Sequence, residues 1–233
     1  MLNIFRSNRA EWLAKLLSEK LRQSPPTPFE QVDVIVNTWP TCRWLGEQLS
    51  ESNGISALIR FPFPGTYLNE IIQLLKEDSD CDKNHWKSSK LVWSILNLLP
   101  KQIEKNKFPY LRNLTSHNAT ELHTINRDQW KLARKIADTF ECYALYRPEL
   151  IREWIEESNY ISSEQDWQAT FIRSIYETIK SKPFSLEAEN VIKNIREGNL
   201  NTERVPKSIN LFGITSLAPI QIELIKALSG ITN

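Results

Sequence analysis

Three stretches of this chain carry side chains whose types and spacing suit chemistry. The first is the turn Arg6-Ser7-Asn8-Arg9, which leads from an apolar run at residues 2–5 into the pattern Trp12, Leu13, Leu16, Leu17, Leu21. A phosphate loop would sit here, its backbone N–H groups cradling an anion at a helix start. Such a loop ends in Gly-Lys-Ser/Thr, and no glycine in this chain is followed by lysine. The turn reads first as a helix start with Ser7 or Asn8 as N-cap, and second as a contact for DNA phosphate or a partner chain.

The second stretch is Asn37-Thr38-Trp39-Pro40 with Arg43, just past the strand-like run at residues 32–36. Open α/β sheets place ligand sites beyond the carboxyl ends of their strands. Trp39 suits stacking on a base, while Asn37 and Arg43 suit hydrogen bonds to base edges or phosphates. The alternative is an exposed turn with Trp39 packed on its own helix, and both readings stand. The third stretch holds Asp138 and Glu141, three apart on one helix face, followed by Arg147. Charge pattern alone makes them an acidic surface pair, with Arg147 compensating the negative helix end.

Familiar catalytic patterns are missing. A restriction-type nuclease core needs an acidic residue with lysine two positions later, and no Asp or Glu has that neighbour. His85, His117 and His123 lie in polar sequence without metal-ligand spacing. There is no G-x-S-x-G elbow. No catalytic residue, metal or cofactor is expected.

Composition narrows the class. The 233 residues are 41% apolar and 24% charged, as in ordinary globular proteins, and the net charge is only +1. A dedicated duplex-binding domain carries a clear basic excess, so autonomous duplex binding is not expected, while a local basic groove is compatible. No window approaches eighteen uninterrupted apolar residues, and no secretory signal is evident at the start. Three scattered cysteines, Cys42, Cys81 and Cys142, suit a reduced cytoplasmic compartment.

The elements that must position these residues follow from periodicity. Strands are expected at 2–5, 32–36, 55–61 and 209–214, and helices after each. The helix over 66–76 would start at Thr66 and Glu70 with a capping box. Between these lies a helical stretch: 86–99 ending at Pro100, 126–146, 148–157, 164–180 and 185–197 closed by Gly198. Trp86, Trp93, Trp130, Trp154 and Trp167 have mostly apolar neighbours at helical spacing, so most are expected in the core.

Four blocks carry a family resemblance: MLNIFRSNRAEWLAKLL, VDVIVNTWPTCRWLGEQLSESNGISALIRFPFPGTYL, FECYALYRPELIREW and INLFGITSLAP. In this order they resemble the amino-terminal part of the exodeoxyribonuclease V gamma chain, the RecC subunit of the RecBCD helicase–nuclease. The resemblance implies a parallel-sheet, helicase-like α/β domain at 1–77 and 205–233, P-loop-like but inactive. A helical insertion would occupy 78–204. It implies a tunnel that scans an unwound single strand of DNA for the Chi signal, lined at Asn37, Trp39, Arg43, Phe63, Asn69, Asp138, Glu141 and Arg147. At the first five positions the best-known members carry Gln, Thr, Gln, Leu and Trp. It implies the alpha and beta chains (RecD and RecB) as partners, no membrane, and a cytoplasmic role in double-strand break repair by recombination. The alternatives are a helicase or nuclease domain of the AddB kind, and a pure docking scaffold.

Overall fold

A computed structural model describes residues 2–27, 29–76, 85–104, 127–156, 166–200 and 205–231. The chain divides into two compact units, Met1–Cys81 with Val191–Asn233, and Asp82–Asn190.

The first unit is built on a small parallel sheet. Strand β1 (Val32–Ile35) lies between β2 (Ile59–Arg60) and β3 (Asn210–Leu211). Val32 and Asp33 register against Ile59 and Arg60, and Val34 and Ile35 against Asn210 and Leu211. Parallel neighbours require crossovers, and helices supply them. Helices α1 (Ala10–Gln23) and α2 (Trp39–Asn53) pack their apolar stripes on the β1 face that presents Val34 and Val36. Ala14, Leu45, Leu49 and Phe212 complete this core. Ile35 alternates to the opposite face and is buried too, so the central strand is covered on both sides.

Local chemistry sets the helix ends. Thr38 caps α2, its Oγ1 accepting from the Thr41 N–H at 3.3 Å, and Gly54 closes the helix at φ +81. Helix α3 (Pro64–Leu75) begins on a proline whose missing N–H has no role in the first turn. Its N-cap is Phe63 with no side-chain cap, so the expected box at Thr66 and Glu70 does not form. Glu70 instead joins Asp33 in holding the Arg60 guanidinium. Arg60 Nε and Nη2 donate to Asp33 at 2.6 and 3.0 Å, and Nη2 also donates to Glu70 at 2.8 Å. Those hydrogen bonds, Asp33's first, hold the guanidinium protonated more firmly than usual, against partial burial. The clamp ties β1, β2 and α3 together.

The second unit is helical: α4 (Ser88–Glu104), α5 (Arg127–Tyr146), α6 (Pro148–Glu156) and α7 (Asp166–Ile179). Leu91, Ile95, Ile136, Phe140, Ile151, Trp154, Phe171 and Ile175 form its centre. Helix α8 (Phe184–Glu197) follows and ends at Gly198, φ +72, while α9 (Pro219–Ser229) belongs to the first unit. Buried Gln221 accepts from the Ala218 N–H at 3.0 Å and so closes the start of α9.

Several expectations are corrected. Residues 2–5 form no strand: Leu2, Ile4 and Phe5 are exposed and no described strand lies beside them. Strand propensity without a neighbouring edge does not make a strand. Helix α4 continues through Pro100, which costs one hydrogen bond and a steric adjustment but does not end it. The N-cap of α1 is Arg9, and Ser7 Oγ only accepts from the Arg9 N–H at 3.1 Å. The expected connection at 106–124, the charged loop at 78–83, and His117 and His123 lie outside the described residues.

Candidate nucleic-acid interface

The strand-end surface of the first unit is assembled by β1, β3 and their following turns. Val34 and Val36 anchor β1 in the core, so the chain leaves the sheet at Asn37 in a fixed place. Asn37 Nδ2 donates to Thr215 Oγ1 at 3.1 Å, which joins the turn after β1 to the turn after β3. Gly213 at φ +61 allows that second turn, in a left-handed conformation that other residues adopt only with strain. Thr215 was not legible from residue type. Its signal was position, since it follows the strand adjacent to β1.

Trp39 opens α2 and remains 71% exposed, its ring edge-on to Phe63 with centroids 5.6 Å apart. The contact fixes the indole against the N-cap of α3 and leaves most of its surface accessible. Trp39 thus meets the residue that caps the next helix. The Arg43 side chain is 87% exposed, with Glu47 Oε1 3.7 Å from its Nε. An exposed i, i+4 pair of that length is worth little, so the cation is available to another anion. Asn69 is half-buried one turn and a half along α3 from Phe63. The surface offers a stackable ring and a cation four residues apart on α2, and an amide in the turn that precedes it. It can hold a base or a phosphate without a glycine-rich loop.

In the second unit, Asp138 and Glu141 have separate structural roles. Exposed Asp138 pairs with Arg134, Nε to Oδ1 3.2 Å. Glu141 Oε2 accepts from the Ser88 N–H at 3.0 Å, placing a carboxylate on the positive end of α4. Arg147 is exposed between α5 and α6, with its N–H on Tyr143 O and its carbonyl accepting from Ile151. Among the described residues, no three His, Cys, Asp or Glu side chains gather to hold a metal ion. No described helix is long and apolar enough to cross a membrane.

Of the five tryptophans, most of which are expected in the core, Trp86 and Trp154 are buried there and Trp167 is partly buried against it. Trp86 Nε1 donates to Ser181 O at 2.8 Å. Trp93 and Trp130 are the two outside it, 59% and 37% exposed with ring centroids 5.2 Å apart, one more than the expected exception. Position 93 lies between Val92 and Ser94 on the outer side of α4, where apolar periodicity does not specify burial.

Comparison with known proteins follows this geometry. The family model of the RecC N-terminal domain matches residues 2–233, and the chain belongs to that family. It is 26% identical to the RecBCD enzyme subunit RecC of Haemophilus influenzae, over 98% of this chain and 22% of the relative. It is 27% identical to the corresponding subunit of Mycobacterium tuberculosis strain CDC 1551, over 98% of this chain and 21% of the relative. Identity to that of Escherichia coli K12 is 25%, over 98% and 20%. The chain spans about a fifth of the length of these curated relatives.

Proposed function

We propose that this RecC-type chain is a non-catalytic, strand-guiding module of a RecBCD-type exodeoxyribonuclease V complex, acting in double-strand break repair by homologous recombination. Its ligand is single-stranded DNA delivered by helicase partners of the RecB and RecD kind, and its compartment is the cytoplasm. On this reading the α/β part (1–77 and 205–233) is a helicase-like fold whose nucleotide pocket is inactive, and 78–204 is its helical insertion. Asn37, Trp39, Arg43, Phe63 and Asn69 contact the strand on one unit. Asp138, Glu141 and Arg147 contact it on the other.

One observation carries the reading: the exposed Trp39 ring and Arg43 cation stand at the strand ends, where the joined turns of β1 and β3 hold Asn37. Each base has a π-face, so such a site accepts any sequence of a passing strand. Chi preference would require the amide and charged groups beside it to read base edges. The test is binding of single-stranded DNA across a salt series, with Arg43→Ala and Arg147→Ala. Each lost phosphate contact lowers the slope of log K against log salt by about 0.7. Equal affinity and slope in wild type and both variants rejects the assignment. Strand-stimulated ATP hydrolysis by the chain would instead favour an enzyme of the AddB kind.

A docking scaffold is the second reading, favoured by exposed Leu2, Ile4, Phe5 and Trp12. Association with RecB- or RecD-type subunits without any crosslink to DNA would support it.

A further inference from the structure

We infer that Thr215 is a positioning residue of the strand-end surface. It holds the Asn37 carboxamide in one orientation, and on the strand-guiding reading this makes the surface favour adenine over thymine in a passing strand.

The turn that carries Thr215 is pinned at both ends. Buried Phe212 donates its N–H to Ile35 O at 2.9 Å and lies beside Trp44, ring centroids 6.1 Å apart. At the other end Ala218 is buried, and its N–H donates to Oε1 of buried Gln221 at 3.0 Å. Thr215 is thus exposed at a fixed place between two anchors. Its Oγ1 accepts from Asn37 Nδ2 at 3.1 Å, across 178 residues of sequence. Asn37 itself is half-buried, directly after buried Val36.

Facing water, a neutral hydrogen bond of this kind contributes little to stability, because solvent can replace either partner. Its effect is on orientation. A free asparagine amide rotates and offers its donor and acceptor in either order. With one Nδ2 hydrogen committed to Thr215, the Asn37 amide keeps Oδ1 and its second Nδ2 hydrogen in one order. That pair matches adenine, whose N6 amino donor lies beside the N7 acceptor. Thymine presents O4 and a methyl group along the same edge and cannot satisfy both. Two residues on, exposed Trp39 offers its ring to any base. Stacking treats the bases alike, and the oriented amide separates them.

The experiment measures binding of labelled oligo(dA) and oligo(dT), each roughly 16 nucleotides long, to the chain and takes the ratio of the two affinities. Self-stacking of oligo(dA) is common to every variant and cancels when variants are compared. Asn37→Ala should lower the ratio roughly 5- to 150-fold, the range for one bidentate base contact. Thr215→Val should lower it in the same direction with oligo(dT) affinity and the urea midpoint unchanged. Thr215→Ser, which keeps the hydroxyl, should hold the wild-type ratio. A wild-type ratio in Thr215→Val refutes the positioning role, and so does an equal loss on both oligonucleotides, which is the mark of a structural defect. The strand-guiding reading is judged apart from this by Arg43→Ala, whose salt slope falls on both oligonucleotides if Arg43 meets a phosphate. Failure of wild type to bind either oligonucleotide overturns both.

Discussion

Replacing Tyr67 with Phe tests the packing that holds the strand-end surface in place. Tyr67 is 1% exposed on α3, and its hydroxyl has no hydrogen-bond partner among the described residues. Burial, helped by the charge of Asp33 and opposed by Arg60, pushes its phenol up to about 12 from the ordinary value near 10. Below pH 10 both folded and unfolded chains keep the proton, and the group contributes no pH dependence. Between pH 10 and 12 the unfolded chain has released it and the folded chain has not. Stability therefore falls as pH rises, by about 1.4 kcal/mol at pH 11 and about 3 kcal/mol once pH passes 12. Urea unfolding followed by tryptophan fluorescence at neutral pH and in steps to pH 11 gives the curve. In Tyr67→Phe this contribution disappears, and subtraction cancels the other tyrosines and lysines. At neutral pH the variant should differ from wild type by less than about 1 kcal/mol, since no bond is lost. A parallel decline in both proteins above pH 10 refutes the placement. A loss above about 2 kcal/mol at neutral pH would show that the hydroxyl has a strong partner.

Three more outcomes follow from named contacts. Arg60→Met should destabilise the chain by about 1–2 kcal/mol by chemical denaturation, because it unpairs Asp33 and Glu70 at a site only partly shielded from water. Leu49→Ala, at a fully buried position between α1, α2 and β1, should cost about 2–5 kcal/mol by the same measurement. Trp39→Ala should leave the urea midpoint nearly unchanged while weakening single-strand binding roughly 5- to 150-fold, since the ring is mostly exposed and its loss removes one stacking surface.

The helices were legible because their apolar stripes and end signals agree. Trp39–Asn53 has a Thr cap and a left-handed glycine, and Phe184–Glu197 has Gly198. Strands were less legible. Residues 55–61 and 209–214 read as strands, yet only Ile59–Arg60 and Asn210–Leu211 pair with β1. Strand pairing depends on a neighbour distant in sequence, and the arm at 2–5 has none among the described residues. Side-chain partners were hidden for the same reason. Nothing in residue spacing links Asn37 to Thr215 or Arg60 to Asp33, and the sheet register brings each pair together. Which tryptophans lie outside the core was not legible, because apolar neighbours in sequence do not fix which side of the helix faces it: Trp93 and Trp130 are exposed.

The weakness of each contact bears on what a guiding surface must do. Gripping a strand would require many uncompensated cations, and affinity would then oppose movement. Here Arg43 has Glu47 nearby, and Arg134 and Lys131 each have a carboxylate within 4 Å. Such exposed pairs open at little cost when a phosphate arrives and close again when it leaves. On the proposed reading, exposed Trp39 adds stacking that does not depend on base identity. On that reading, rigidity in the first unit is placed in the Arg60 clamp and the doubly covered strand β1, which hold Asn37 and the start of α2 still while the ligand changes. On the proposed reading, converting Glu47 to Gln should slow strand release by freeing Arg43, leaving the fold intact. Unchanged dissociation in that variant would mean that Arg43 does not touch the strand.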